Sequence, residues 1–75
     1  TEGNVINGVV NSSEVGDNVV VMEDAEVDNS TLENAIVFPN ARVEDSNVRN
    51  SIIDKHSKVE YVDLNDALIG EHTSI

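Results

Sequence analysis

The chain has 75 residues, 15 of them acidic and 4 basic, for a net charge of −11, and it has no cysteine. That length allows one small domain, and the missing cysteine excludes disulfides and thiolate metal sites. The charge repels nucleic acid and anionic membrane surfaces, and no apolar run approaches the roughly 18 residues of a membrane span.

Residues 1–8 carry no regular pattern and are expected to be an irregular lead-in or part of an incomplete coil. From Val9 onward aliphatic anchors recur at steps of five or six: Val9, Val15, Val21, Val27, Leu32, Val37, Val43, Val48, Ile53, Val59, Leu64, Ile69 and Ile75. Two residues before each anchor after the first stands a small residue or Val: Ser13, Val19, Ala25, Ser30, Ala35, Ala41, Ser46, Ser51, Ser57, Val62, Ala67 and Thr73. Residues two apart share a strand face, so each short strand is expected to turn one aliphatic and one small side chain inward. The stretch 9–26 predicts one coil of 18 residues, and from Val27 the order five, five, six repeats every 16 residues. Three anchors per period mean three flat sides per coil. The expectation is an all-β fold, a parallel β-helix of about four coils over 9–75. A helix would need apolar spacing of three and four, and the Asn, Asp, Gly, Ser and β-branched content opposes one. Asn and Asp between anchors suit corners, because they tolerate left-handed backbone. A disordered acidic segment would lack this register.

Stability has to come from many small aliphatic contacts, since the chain holds one Phe, one Tyr and no Trp. A repeat architecture supplies them by burying each unit against the next. So few cations among so many acids point to adaptation to high salt, where counterions screen self-repulsion. The glycosylation tripeptides at Asn11 and Asn29 are cheap matches in an Asn- and Ser-rich chain. The absence of a signal-like start and of cysteine leads to a cytoplasmic expectation.

The repeat resembles the hexapeptide motif of left-handed β-helix proteins, aliphatic-x-x-x-small-x, as in Val15-Gly16-Asp17-Asn18-Val19-Val20, Val21-Met22-Glu23-Asp24-Ala25-Glu26 and Ile69-Gly70-Glu71-His72-Thr73-Ser74. The left-handed turn is implied by that resemblance; parallel crossovers in general take the opposite hand. The 16-residue coils, with Leu32-Glu33-Asn34-Ala35-Ile36-Val37, Val48-Arg49-Asn50-Ser51-Ile52-Ile53-Asp54-Lys55 and Asp66-Ala67-Leu68-Ile69-Gly70, are similar to the C-terminal domains of sugar-1-phosphate nucleotidyltransferases. Within that family, residues 62–71 look most like the long-form glucose-1-phosphate thymidylyltransferases, with the adenylyltransferases close behind. The resemblance implies a structural and oligomerisation domain without catalytic residues of its own. It places the Gly-rich nucleotide loop and its Mg2+ in a catalytic domain N-terminal to this helix, so the chain looks like the tail of a longer enzyme. The implied partners are further copies, its own catalytic domain, or both. The alternatives are part of a hexapeptide-repeat acyltransferase and a stand-alone structural solenoid.

Candidate chemistry is sparse: no catalytic, cofactor-binding or metal-ligating residue is assigned. His56 and His72 occupy equivalent positions 16 residues apart, which stacking would bring to about 4.8 Å. A pair supplies too few ligands for zinc, so they are expected to be solvated turn residues in a column with Asp24 and Asn40. The acidic columns match neither a calcium nonapeptide nor an EF-hand loop, and no nucleophile–base–orienter set can be assembled. A more informative pattern lies immediately before the anchors. Val20, Ile36, Ile52 and Leu68 are expected to face outward as one aligned apolar column, with Met22 and Phe38 on the same face. An aligned stripe on so acidic a chain marks a candidate interface.

Overall fold

The computed structural model describes residues 4–75. The chain winds as an all-β parallel solenoid of about four turns, with no helix among the described residues. The first coil carries β1 (Val5–Ile6), β2 (Val9–Asn11) and β3 (Glu14–Val15). The second carries β4 (Val20–Val21), β5 (Glu26–Asp28) and β6 (Thr31–Glu33). The third carries β7 (Ile36–Val37), β8 (Arg42–Glu44) and β9 (Asn47–Arg49). The fourth carries β10 (Ile52–Ile53), β11 (Lys58–Glu60) and β12 (Asp63–Asn65), and β13 (Leu68–Ile69) follows. Every third strand pairs in parallel, giving three sheets: β1-β4-β7-β10-β13, β2-β5-β8-β11 and β3-β6-β9-β12. These are the first, second and third sides.

The anchors stack as the spacing predicts. Val21, Val37 and Ile53 lie in one register column, Val27, Val43 and Val59 in the second, and Leu32, Val48 and Leu64 in the third. All but Leu64 are fully buried, and each buried Val, Leu or Ile contributes roughly 1.5–3 kcal/mol. The small column is also interior: Ala25, Ala35, Ala41, Ser30, Ser46, Ser51 and Ser57 are buried. Even Val19, the largest occupant of its column in the middle coils, is fully enclosed.

The structure corrects the register of the first coil. Val10, not Val9, pairs with Val27; Val9 pairs with Glu26 and is half exposed. A first coil counted in hexads back from Val15 selects Val9, but this corner takes five residues in every coil, as Val27 to Leu32 and Val43 to Val48 show. The coil is therefore 17 residues, not 18, measured by Val10 over Val27 and Val15 over Leu32. The lead-in also holds a paired strand: Ile6 stacks on Val21. Asn4 joins it, donating from Nδ2 to the Gly16 carbonyl at 2.7 Å and accepting the Val19 N–H at 2.8 Å. The turn from Ile6 to Val10 is tighter than those below it. A side chain at Gly8 would place Cβ 2.5 Å from the Ala25 carbonyl oxygen and 2.6 Å from that of Met22. Residues 1–3 lie outside the described residues.

From Ser12 onward every corner turns on one left-handed residue. Twelve non-glycine residues have φ between 48° and 63°, and each immediately precedes a member of the small column. Asn18, Asn34, Asn50 and Asp66 form one corner; Asp24, Asn40, His56 and His72 the next; Ser12, Asn29, Asp45 and Tyr61 the last. Asn and Asp tolerate this conformation best, and their side chains also link coils. Asn18 donates to Asn34 at 3.1 Å, Asn29 donates to Asp45, and on the third side Asn47 donates to Asp63 at 2.8 Å. Tyr61 is the exception: it is bulky, left-handed and 77% exposed, so it has little packing to offset its strain. Tyr61→Asn should stabilise the fold by about 1 kcal/mol, read as a higher urea midpoint with unchanged slope. A lower midpoint would show that the phenol ring makes a compensating contact.

The buried serines complete the interior. The Ser46 hydroxyl donates to the Glu44 carbonyl at 2.7 Å and accepts the Val62 N–H at 3.2 Å. Ser30 does the same between Asp28 and the Ser46 N–H, and Ser51 between Arg49 and the Ala67 N–H. Each hydroxyl thus satisfies a backbone group in its own coil and one in the next. Ser46→Ala should cost about 1–3 kcal/mol by stranding the Val62 amide, measured by denaturant unfolding. A change near zero would mean that water reaches that amide.

Candidate functional site

The outward column on the first side is continuous. Val20 pairs with Ile36, Ile36 with Ile52, and Ile52 with Leu68. Val5 stacks above Val20, adding a member from the lead-in that the anchor pattern, started at Val9, could not reach. Phe38 and Met22 follow on the same face, their amides bonded in succession: Met22 N–H to the Val37 carbonyl and Phe38 N–H to that of Ile53, both at 2.9 Å. Val20, Ile36, Ile52, Met22 and Phe38 are half-buried, because each is covered partly by its neighbours above and below. The column ends are more open, with Val5 48% and Leu68 71% exposed. The six candidate interface residues therefore share one side of the solenoid. At its first-coil end Val5, Val20, Met22 and Pro39, together with Asn7, Glu23 and Asp24, line an open cavity of about 510 Å³.

Charges surround the aliphatic column of this side; one, Asp54, stands on the face itself, at the level Met22 and Phe38 hold in the coils before it, its N–H bonded to the Ile69 carbonyl at 2.9 Å. Arg42 reaches Glu26 at 3.2 Å and Glu44 at 3.9 Å on the second side, and Lys58 reaches Glu60 at 3.8 Å. Lys55 reaches Glu71 at 3.8 Å at a corner of the first side. These pairs are largely solvent-exposed and contribute little individually, so they leave most of the excess negative charge uncompensated.

His56 and His72 stack with ring centroids 5.0 Å apart and planes 1° from parallel. Both are exposed left-handed corner residues. The lone pairs of parallel rings lie in separate parallel planes and do not meet at a shared centre, and zinc–imidazole bonds of about 2.0–2.1 Å cannot span that gap without rotating the rings. Among the described residues no group of three or more His, Asp or Glu converges on a metal position. A second concavity, on the third side, is lined by Glu14, Val15, Gly16, Thr31, Leu32, Glu33 and Arg49. No described helix is long and apolar enough to cross a membrane.

Compared with protein-family models, curated proteins and solved structures, the chain matches none.

The uncompensated charge has a measurable consequence. The Debye length falls from about 10 Å at 0.1 M salt to about 3 Å at 1 M, so the melting temperature should rise between these conditions. Adaptation to high salt predicts a continued rise in molar KCl. A flat profile would show that local pairing compensates the acids and would remove that adaptation.

Proposed function

We propose that this chain is a non-catalytic assembly module whose first side packs against a protein partner, and that it belongs to a left-handed hexapeptide-repeat domain of a sugar-1-phosphate nucleotidyltransferase. The observation that carries the assembly role is the in-register column Val5–Val20–Ile36–Ile52–Leu68 on an otherwise acidic surface. Aligned apolar side chains of this kind mark contact surfaces. The enzyme family and the hand of the coil rest on the 16-residue repeat and the quoted segments of sequence.

In this reading the chain acts through packing alone. It has no Gly-rich phosphate loop, and its described residues gather no carboxylate set for the Mg2+ that the family's chemistry uses. Both belong to a catalytic domain in the parent protein. A hexapeptide acyltransferase would bring a histidine on a loop extruded between coils. Here no step between anchors exceeds six residues, and both histidines sit on ordinary corners, which favours the scaffold.

The 75-residue chain should release no pyrophosphate from glucose-1-phosphate and dTTP, while the parent protein should. Ile52→Asp in the parent should lower turnover together with assembly state, followed by sedimentation. Turnover by the chain alone would sink the scaffold reading. Acetyl transfer by the parent, lost on replacing His56 or His72, would replace it with the acyltransferase.

A further inference from the structure

Resting on that assembly reading, we infer that the first side docks a protein segment whose apolar centre is flanked by lysine or arginine, and not a second copy of this chain. The apolar column is bordered by acids at both corners. Asp17 and Asp66 lie toward one corner, and Glu23, Asp24, Asp54 and Glu71 toward the other. Of the cations near this border, Lys55 is already paired with Glu71, and Arg49, which holds the position of Asp17 two coils later, stands level with Glu33. Two of these acids, Glu23 and Asp24, line the same open cavity as Val5, Val20 and Met22. An apolar side chain seated there would hold its flanking residues beside two carboxylates, and only a cationic flank gains from that position.

A second copy cannot supply such a flank. A two-fold contact through this side would set the same acidic border against itself, between bodies of charge −11 each. A copy could instead present its second side, but the cations there, Arg42 and Lys58, are engaged by Glu26, Glu44 and Glu60. Arg49 lies on the third side, level with Glu33. No side of the chain carries a net positive strip to complement the first.

The probe is a synthetic peptide, Lys-Lys-Leu-Val-Leu-Lys-Lys, titrated into the isotope-labelled chain and followed by amide NMR, with a Glu-for-Lys peptide as control. The expected result is shifts centred on Val20, Met22, Ile36 and Ile52 with the Lys peptide only, weakening as salt rises from about 0.1 M to about 1 M. Ile36→Asp should abolish these shifts. Glu23→Gln combined with Asp24→Asn, which leaves the apolar column intact, should weaken binding several-fold and flatten its salt dependence. Lys-peptide binding that survives Ile36→Asp in a folded variant would be general charge attraction and would overturn the inference. A concentration-dependent dimer abolished by Ile52→Asp, without peptide binding, would overturn it in favour of a second copy while leaving the assembly reading standing. Neither dimer nor peptide binding would overturn both.

Discussion

The fold depends on turning the backbone sharply enough, three times per coil, that each strand returns directly over the one before it. With strands of two or three residues, no corner can be a loose loop. One residue in the left-handed region makes the turn, and the next must be small because it points into the narrow angle between two sides. The anchor two residues further on then reaches the centre of the triangle. This sequence of left-handed, small and anchor positions repeats at twelve corners. It explains why a chain of 8.1 kDa with two aromatic residues closes a core at all. Each coil would be unstable alone, and it becomes stable only by covering, and being covered by, its neighbours.

That constraint was legible in the sequence because two columns, anchor and small, carried it together. Where one column became ambiguous, legibility failed. At Val9-Val10 either residue could serve as the anchor, and the backbone chose Val10 because the corner that follows takes five residues in every coil. Near Ile6 the corner tightens to a form that only Gly8 fits, and the repeat template breaks there, hiding the strand that places Val5 on the outer column. The left-handed corners were foreseeable at Asn and Asp, whose side chains favour them. They were not at Ser12, His56, Tyr61 or His72, where position in the coil overrides residue preference. The serine hydroxyls were visible as small residues only. Their second role, joining the carbonyl of one coil to the amide of the next, depends on three-dimensional register and has no signal in spacing.

The His56–His72 stack illustrates how a repeat creates apparent sites. Equivalent positions in successive coils must meet at the strand spacing, so any residue type that recurs at a 16-residue interval becomes a cluster. The acids Asp28, Glu44 and Glu60 are aligned by the same rule. Juxtaposition of this kind follows from the fold and carries no chemical meaning without convergence of lone pairs or burial of charge. The apolar column obeys the same geometry, yet its position in the charge distribution distinguishes it.

The outer faces of the second and third sides are built mainly of acidic, basic and polar residues; along the first, five consecutive strands place an aliphatic residue at the same level. A solvated face of a solenoid has no physical need for this. Stacked aliphatics outside the core shield one another only partly, as the exposure of Val5 and Leu68 shows, and a charged or polar residue would serve solubility better at each level. The column therefore costs the isolated chain something in water that a covering partner would recover. Its acidic border restricts that partner further, because like charges brought against it would offset the gain from apolar burial. Apolar column and acidic border together select by exclusion: the column rejects a fully solvated polar surface, and the border rejects an acidic one, including the chain's own.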